Sequence, residues 1–258
     1  MKKQEKKILI FLLLLILIAI DYPFVDKALR NFFVDYEVGI VERAIDGDTI
    51  VVNGSNVRLL GINTPEKGEK YYEEAKSFLE ENIKGELIKL KKNKEDKDLY
   101  GRKLRYIFLN DENVNLRLVK EGFANIYFPS GKDRYYPEFK EAWENCIINN
   151  NNLCEKSSDK CALCVKLAEL SIDTQEITLS NSCNFSCNLE DWSIKDEGRK
   201  RFVFPKISLE DEITIKVGEG NNTKDLLFWK GEKYVWTKTG DSLFIRDSNG
   251  KLVLFHTY

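Results

Sequence analysis

An arginine, an amide, a hydroxyl and a carboxylate crowd the end of VRLLGINTPE, residues 57–66, as Arg58, Asn63, Thr64 and Glu66. Strand alternation puts Arg58 on one face with Leu60 and Ile62, and Pro65 stops the pairing because it has no N–H to give. Upstream, Asp46-Gly47-Asp48-Thr49 sets two carboxylates between strand-like runs, and downstream DLYGR supplies Asp98, Tyr100 and Arg102. Carboxylates clustered with backbone carbonyls suit a hard divalent cation, since Ca²⁺ takes about six to eight oxygen ligands. DG alone is also a common hairpin turn. Arg58, Arg102 and Glu66 add two planar guanidinium donors and a further carboxylate to that cluster.

The composition narrows this chemistry. His256 is the single histidine in 258 residues, which removes histidine-base schemes and Ser-His-Asp triads. A net charge of -2 hides a charged fraction of 32%, so charge has to be read locally. Lys84, Lys89, Lys91, Lys92, Lys94, Lys97, Arg102, Lys103 and Arg105 form a basic stretch. It reads as a phosphate-attracting patch or as a solvated charged face. Tyr127, Phe128, Tyr135 and Tyr136 could stack bases or pack inward.

The chain begins MKKQEKK and continues ILIFLLLLILIAI, a basic stretch before an apolar run. That is a membrane-targeting signal whose lysines stay in the cytoplasm. As a helix, residues 8–20 span about 20 Å, short of the roughly 30 Å hydrocarbon core. No small-x-small cleavage site follows Ala19. The expectation is a hydrophobic helix over 1–25, acting as a signal anchor or signal peptide, then a connector over 26–37. The rest would face the outside, tethered to a membrane partner through that helix or secreted after cleavage. Cys146, Cys154, Cys161, Cys164, Cys183 and Cys187 fit that address. Zinc is the competing reading, with one Cys-x-x-Cys and no nearby histidine. At least two disulfides are expected, with Cys183 and Cys187 as a local pair.

The elements that must position the chemistry follow from periodicity. VGIVERAI, DTIVVN, NVRLLGI, ELIKLKK and LRYIFLN read as strands, with a hairpin at Gly54-Ser55, a polar loop at KEDKD and a turn at Asp111-Glu112. KYYEEAKSFLEENI, NVNLRLVKEG and PEFKEAWENCII read as helices, the first stopped by Gly85. Five strands with three helices predict a barrel of the OB type over 38–155. Residues 150–162 are polar and hydrophobe-poor, so a linker is placed at 156–164. Beyond it, regular short strands with glycine turns predict a β-sandwich over 165–258. The whole is expected to be mainly β with some α.

IDGDTIVV, RLLGINTPE and DLYGRKLRYIF, in this order and with a helix between the last two, closely resemble the thermonuclease family typified by staphylococcal nuclease. The resemblance covers roughly residues 36–155. It implies a five-stranded OB-type barrel and Ca²⁺-dependent cleavage of phosphodiesters in DNA and RNA. By motif, Asp48 falls on a metal-binding aspartate and the Thr64 carbonyl on a further ligand. Glu66 falls on the proposed general base, Arg58 and Arg102 on the phosphate-binding arginines, and Tyr100 on a tyrosine lining the nucleotide pocket. Lys97 and Tyr127 are added as candidate substrate contacts. One position departs, because the family's second metal-binding aspartate is Asn63 here. An amide oxygen can still coordinate Ca²⁺ with one negative charge fewer. Asn63→Asp is therefore expected to lower the Ca²⁺ concentration needed for half-maximal cleavage. The function this implies is an exported, sugar-nonspecific nuclease; the alternative is an inactive OB-type module binding nucleic acid at the cell surface.

CNLEDWSIKDEGRKRFVFP and VWTKTGDSLFIRDSNGKLVLFHTY resemble the lamin-tail domain through Trp192, Phe204, Pro205, Trp236 and residues 240–243. The resemblance implies an immunoglobulin-like sandwich. No catalytic constellation is visible there, so a ligand or protein partner is expected for it.

Overall fold

Short strands with one buried face build the first half of the molecule. The computed structural model describes residues 36–258. The expected hydrophobic helix over 1–25 lies outside them. Among the described residues no helix is long and apolar enough to cross a membrane.

β1 (Glu37–Ala44) buries Val41 and Ala44 and carries a bulge where its register with the next strand shifts. β2 (Thr49–Val52) and β3 (Ser55–Leu59) form a hairpin around Asn53 and Gly54, both with positive φ, 47° and 72°. That pairing of left-handed residues matches the twist of the two strands. β4 (Gly61–Asn63) follows a break at Leu60, where Gly61 takes φ 78°. NVRLLGI is therefore not one continuous strand. Val57, Leu59 and Ile62 enter the core, while Arg58 leaves on the other face, so it does not share a side with Ile62. Asn115, fully buried, donates to the Leu60 carbonyl at 2.8 Å and accepts from the Ile107 N–H at 3.0 Å.

Helix α1 (Tyr72–Ile83) buries Ala75, Leu79 and Ile83 at helical spacing. It is followed by β5 (Leu87–Lys97), β6 (Lys103–Leu109) and the short β7 (Glu112–Asn113). KEDKD is no loop; β5 runs through it to pair Lys97 with Lys103. Its side chains are exposed, so no alternation marked it as a strand. The turn falls at Asn110-Asp111, with φ of 50° and 66°, one residue before the expected place. α2 (Val114–Lys120) is capped by the Asn113 side chain, which accepts from the Leu116 N–H. β8 (Asn125–Tyr127), absent from the sequence reading, pairs with β4 and sets Asn125 opposite Asn63. α3 (Tyr136–Asn149) buries Phe139, Ala142, Trp143 and Cys146.

Strand order β3-β2-β1-β5-β6, with β3 and β6 joined in parallel, closes a five-stranded barrel. The barrel and its three helices are as the pattern predicts. After α3, Asn150 turns left-handed and a 3-10 turn over Asn152–Cys154 brings Cys154 back to Cys146 as a disulfide.

The second half carries β9 (Val165–Ser171), β10 (Glu176–Asn181), β11 (Cys187–Asn188), β12 (Ser193–Lys195), β13 (Arg201–Val203) and β14 (Ser208–Leu209). It ends in β15 (Glu212–Val217), β16 (Leu226–Trp229), β17 (Ser242–Arg246) and β18 (Leu252–Thr257). One sheet has order β16-β15-β10-β9 and the other β13-β12-β17-β18, with β11 and β14 as a side ribbon. Trp192, Trp236, Phe204 and Leu243 are buried in its core.

The cysteines of this half pair as Cys161 with Cys187 and Cys164 with Cys183. The expected Cys183–Cys187 link does not form. A tight turn, with the Cys164 N–H on the Cys161 carbonyl at 2.9 Å, sets both of these cysteines against the neighbouring 183–187 segment. All six cysteines are bonded, so no thiol remains among the described residues to hold zinc.

Barrel and sandwich share an apolar seam. Trp143 of α3 meets Phe244 and Phe255, with centroids 5.5 and 5.6 Å away, and Phe244 and Leu252 belong to the barrel's core. The segment expected as a linker is pinned to β18: the Leu252 N–H donates to Glu155 and the Ser157 N–H to Leu252, at 2.7 and 2.8 Å.

Candidate active site

Closure of the barrel through β3 and β6 draws the three motifs together. Arg58 is 6% exposed, and its Nη2 lies 3.0 Å from Asp48 Oδ2. Its Nη1 donates to the Leu59 carbonyl at 2.7 Å. Thr64 donates both its N–H and its hydroxyl to the same Asp48 oxygen, each at 3.1 Å. A buried carboxylate costs heavily unless it is paired and hydrogen-bonded, and Asp48 is both.

The other oxygen of Asp48 accepts from Thr49 Oγ1 at 3.1 Å, and Thr49 Oγ1 accepts from Arg102 Nη1 at 3.3 Å. One hydroxyl thus connects the two guanidinium groups through a carboxylate. Thr49 went unnoticed in the sequence because its hydroxyl reads as a turn residue. Arg102 is braced by Asp98 at 2.7 Å and lies over the Tyr100 ring, 5.5 Å from its centroid. Tyr100 is 80% exposed.

Gly47 allows the turn to sit this close. A Cβ there would stand 2.9 Å from Thr64 and Ala75.

Arg58, Asn63, Tyr100, Arg102 and Tyr127 line a cavity of about 630 Å³, within the range of about 300–1,000 Å³ for small-ligand sites. Asp48 and Thr64 reach it through Arg58. Lys97 stands exposed at the end of β5 and is not among the lining residues. Part of the expected basic patch is spent internally: Arg105 is 1% exposed and bonded to Asp96, and Lys89 pairs with Asp111. Tyr135 packs on Tyr106, while Phe128 packs on Phe139 and also lines the cavity.

The far side of the cavity comes from the sandwich, through residues 196–200 and Tyr234. Nothing in the sequence pointed there. Asn63, 2% exposed, gives its Nδ2 to the Gly198 carbonyl at 2.8 Å and receives Arg58 Nη2 on its Oδ1 at 3.1 Å. Glu66 Oε1 meets Arg199 Nε at 2.9 Å. Lys195 Nζ lies 2.9 Å from Glu69 Oε2, which also receives the Glu66 N–H at 2.8 Å. Burial works to raise the Glu69 carboxyl, but the charge and hydrogen bond of Lys195 outweigh it and hold it below its ordinary value.

Whether these donors suit a hard cation can be read from their chemistry. Burial first, then the negative charge of Asp48, raises the Asp46 carboxyl above its ordinary value, and a cation beside the pair would relieve both effects. Asn125, opposite Asn63, has a buried Oδ1 with no hydrogen-bond partner. Oxygen donors of this kind fit Ca²⁺. Asn63 Oδ1 accepts from Arg58 Nη2 and, like the Asp48 oxygens, has a further lone pair to offer. Among the described residues no group of three or more histidine, cysteine or acidic side chains is placed to hold a metal.

The closed five-stranded barrel thus presents two carboxylate-braced arginines in one cleft. Residues 56–153 match the family described as staphylococcal nuclease homologue. The thermonuclease of Staphylococcus intermedius is 30% identical over 168 residues, covering 60% of this chain and 100% of that protein. The thermonuclease of Staphylococcus hyicus is 31% identical, over 55% of this chain and 92% of its own. Endonuclease YhcR of Bacillus subtilis is 34% identical over 42% of this chain and 10% of its length. The chain belongs to the staphylococcal nuclease family. The family match ends at residue 153, before the first strand of the sandwich.

Proposed function

We propose that this protein is an exported, Ca²⁺-dependent nuclease that hydrolyses phosphodiester bonds of DNA and RNA without regard to the sugar. The observation that carries the reading is the connected set Arg58, Asp48, Thr49 and Arg102, whose two guanidinium groups line one cleft. Two guanidinium groups held at fixed positions bind a phosphodiester and stabilise the charge that grows on its oxygens. Their carboxylate partners hold them in place before substrate arrives, so little reorganisation is left for the reaction. Asp46, Asp48 and oxygens near Thr64 would hold Ca²⁺, which when bound lowers the pKa of water and adds positive charge beside the phosphate. Glu66, at the edge of the cluster, orients the attacking water and takes its proton. Tyr100, exposed on its turn beside Arg102, offers a ring for base or sugar; Tyr127 offers a second.

Three disulfides in the described residues support export, because such bonds persist outside the cytosol. The basic and apolar N-terminus supports the same address, as anchor or as signal. The sandwich has the two-sheet plan that a lamin-tail-like domain requires.

Incubation of the protein with single- and double-stranded DNA and with RNA tests the reading, with Ca²⁺ in one arm and chelator in the other. Cleavage of both nucleic acids that stops in chelator is the expected result. Binding without cleavage in Ca²⁺ would establish the inactive module instead.

A further inference from the structure

Residues 196–200, between β12 and β13, are where the sandwich enters the cleft. The loop is held by its backbone and first residues. Gly198 gives its carbonyl to Asn63, and Glu197 Oε1 accepts the Phe128 N–H at 3.2 Å. Lys195, just ahead of the loop, is fixed by Glu69. The identity of residue 63 fits this attachment. Arg58 can only donate and a carbonyl can only accept, so a side chain lying between them needs one acceptor and one donor. An amide has both, whereas an aspartate would set a carboxylate oxygen against the Gly198 carbonyl.

Arg199 differs from its neighbours in the loop. Its side chain is 60% exposed, and it is joined to Glu66, itself 47% exposed. Exposed pairs of this kind are worth little. A phosphate offers a guanidinium a stronger, bidentate partner than one exposed carboxylate does.

We infer that the sandwich is a working part of the nuclease site and that Arg199 is a substrate-binding residue, passing its guanidinium from Glu66 to a substrate phosphate. This rests on the nuclease reading above. Arg199 joins Arg58 and Arg102 on the lining of the same cavity, but comes from the opposite wall. Its transfer to phosphate frees a Glu66 oxygen for the attacking water at the moment substrate is present. The backbone of the loop need not move, since Gly198 and Glu197 hold it and only one side chain swings.

The test uses the full-length chain and a fluorescein-labelled single-stranded oligonucleotide, with affinity read by anisotropy in chelator over a range of salt. Cleavage of the same strand in Ca²⁺ is measured alongside. Arg199→Ala is expected to weaken binding about tenfold, as loss of a charged hydrogen bond does. It should also reduce the slope of log affinity against log salt by about 0.7, one phosphate contact on a single strand. Arg199→Lys should restore the slope, and in cleavage KM should rise while kcat changes little. If Arg199 were only a lock on Glu66, Arg199→Ala would raise kcat/KM and leave the slope alone, which overturns the inference. A wild-type protein that cuts, with Arg199→Ala equal to it in affinity and slope, overturns the role of Arg199 and leaves the nuclease reading standing. A wild-type protein that neither binds nor cuts overturns both.

Discussion

Two acidic turns lie at or beside the cleft, residues 46–49 of the barrel and 196–198 of the sandwich, and they give their buried carboxylates different partners. In the barrel turn, Asp48 is met by a guanidinium, two hydroxyls and a backbone N–H. In the sandwich turn, Asp196 and Glu197 receive backbone N–H groups from Lys200 and Phe128, and lie beside a third buried acid, Asp241. Burial first, then Asp241, pushes Asp196 up to about 7 and Glu197 up to about 8. Lys195 and Lys200 oppose this at Asp196 and Lys132 at Glu197, without reversing it. In the first turn Asp48 has a cationic partner at 3.0 Å, although burial and Asp48 raise its neighbour Asp46. The second holds protons, and so couples the attachment of the loop to pH.

Neutralising the first turn is the most severe way to break the contrast. Asp48→Asn leaves Arg58 buried beside a neutral group, and loss of one partner of a buried pair costs about 3–5 kcal/mol. Cleavage should fall by roughly a hundred- to a thousandfold, with a lower Tm in the same protein. Glu66→Gln and Arg102→Ala, at more exposed positions, should lose comparable activity with Tm nearly unchanged. Kinetics and thermal melts on the three variants separate the two outcomes.

The second turn sets the pH dependence of stability. Asp196 and Glu197 keep their protons in the folded protein at pH values where the unfolded chain has lost them. Stability should therefore fall as pH rises from about 4 to about 8, and level off above that. Glu197→Gln keeps the acceptor for Phe128 but never ionises. Above pH about 8 it should be more stable than the wild type by on the order of 1–3 kcal/mol, with a flatter melting profile against pH. A profile identical to the wild type's would mean that Glu197 is ionised when folded.

The smallest effect falls where the two turns are linked. Asn63→Asp removes the donor to Gly198, so trypsin should cut after Arg199 or Lys200 a few times faster. The sequence alone expects this substitution to lower the Ca²⁺ requirement. Measuring the half-maximal Ca²⁺ concentration beside the tryptic rate shows which role of residue 63 dominates.

What the sequence revealed and what it hid divide along contact distance. Asp48, Arg58, Thr64 and Arg102 come together because they sit on or just beside the ends of neighbouring strands, and each lies in a short motif with a recognisable residue pattern. The barrel strands were legible wherever one face was buried. They were illegible in KEDKD, exposed throughout, and in β8, only three residues long. Thr49 and Asn115 act through single hydrogen bonds that leave no periodicity. The sandwich wall was hidden altogether: Asn63 and Gly198 are 135 residues apart, and no local pattern announces such a contact. The cysteine pairing is hidden for a related reason, since nearness in sequence is not nearness in space.

The seam at Trp143 carries a thermodynamic consequence. Phe244, Leu252 and Phe255 bury against the barrel while β17 and β18 belong to the sandwich sheet. Neither half can melt without exposing apolar surface of the other, so heat or denaturant meets one cooperative unit where two folds are visible. The two halves thus share one unfolding transition.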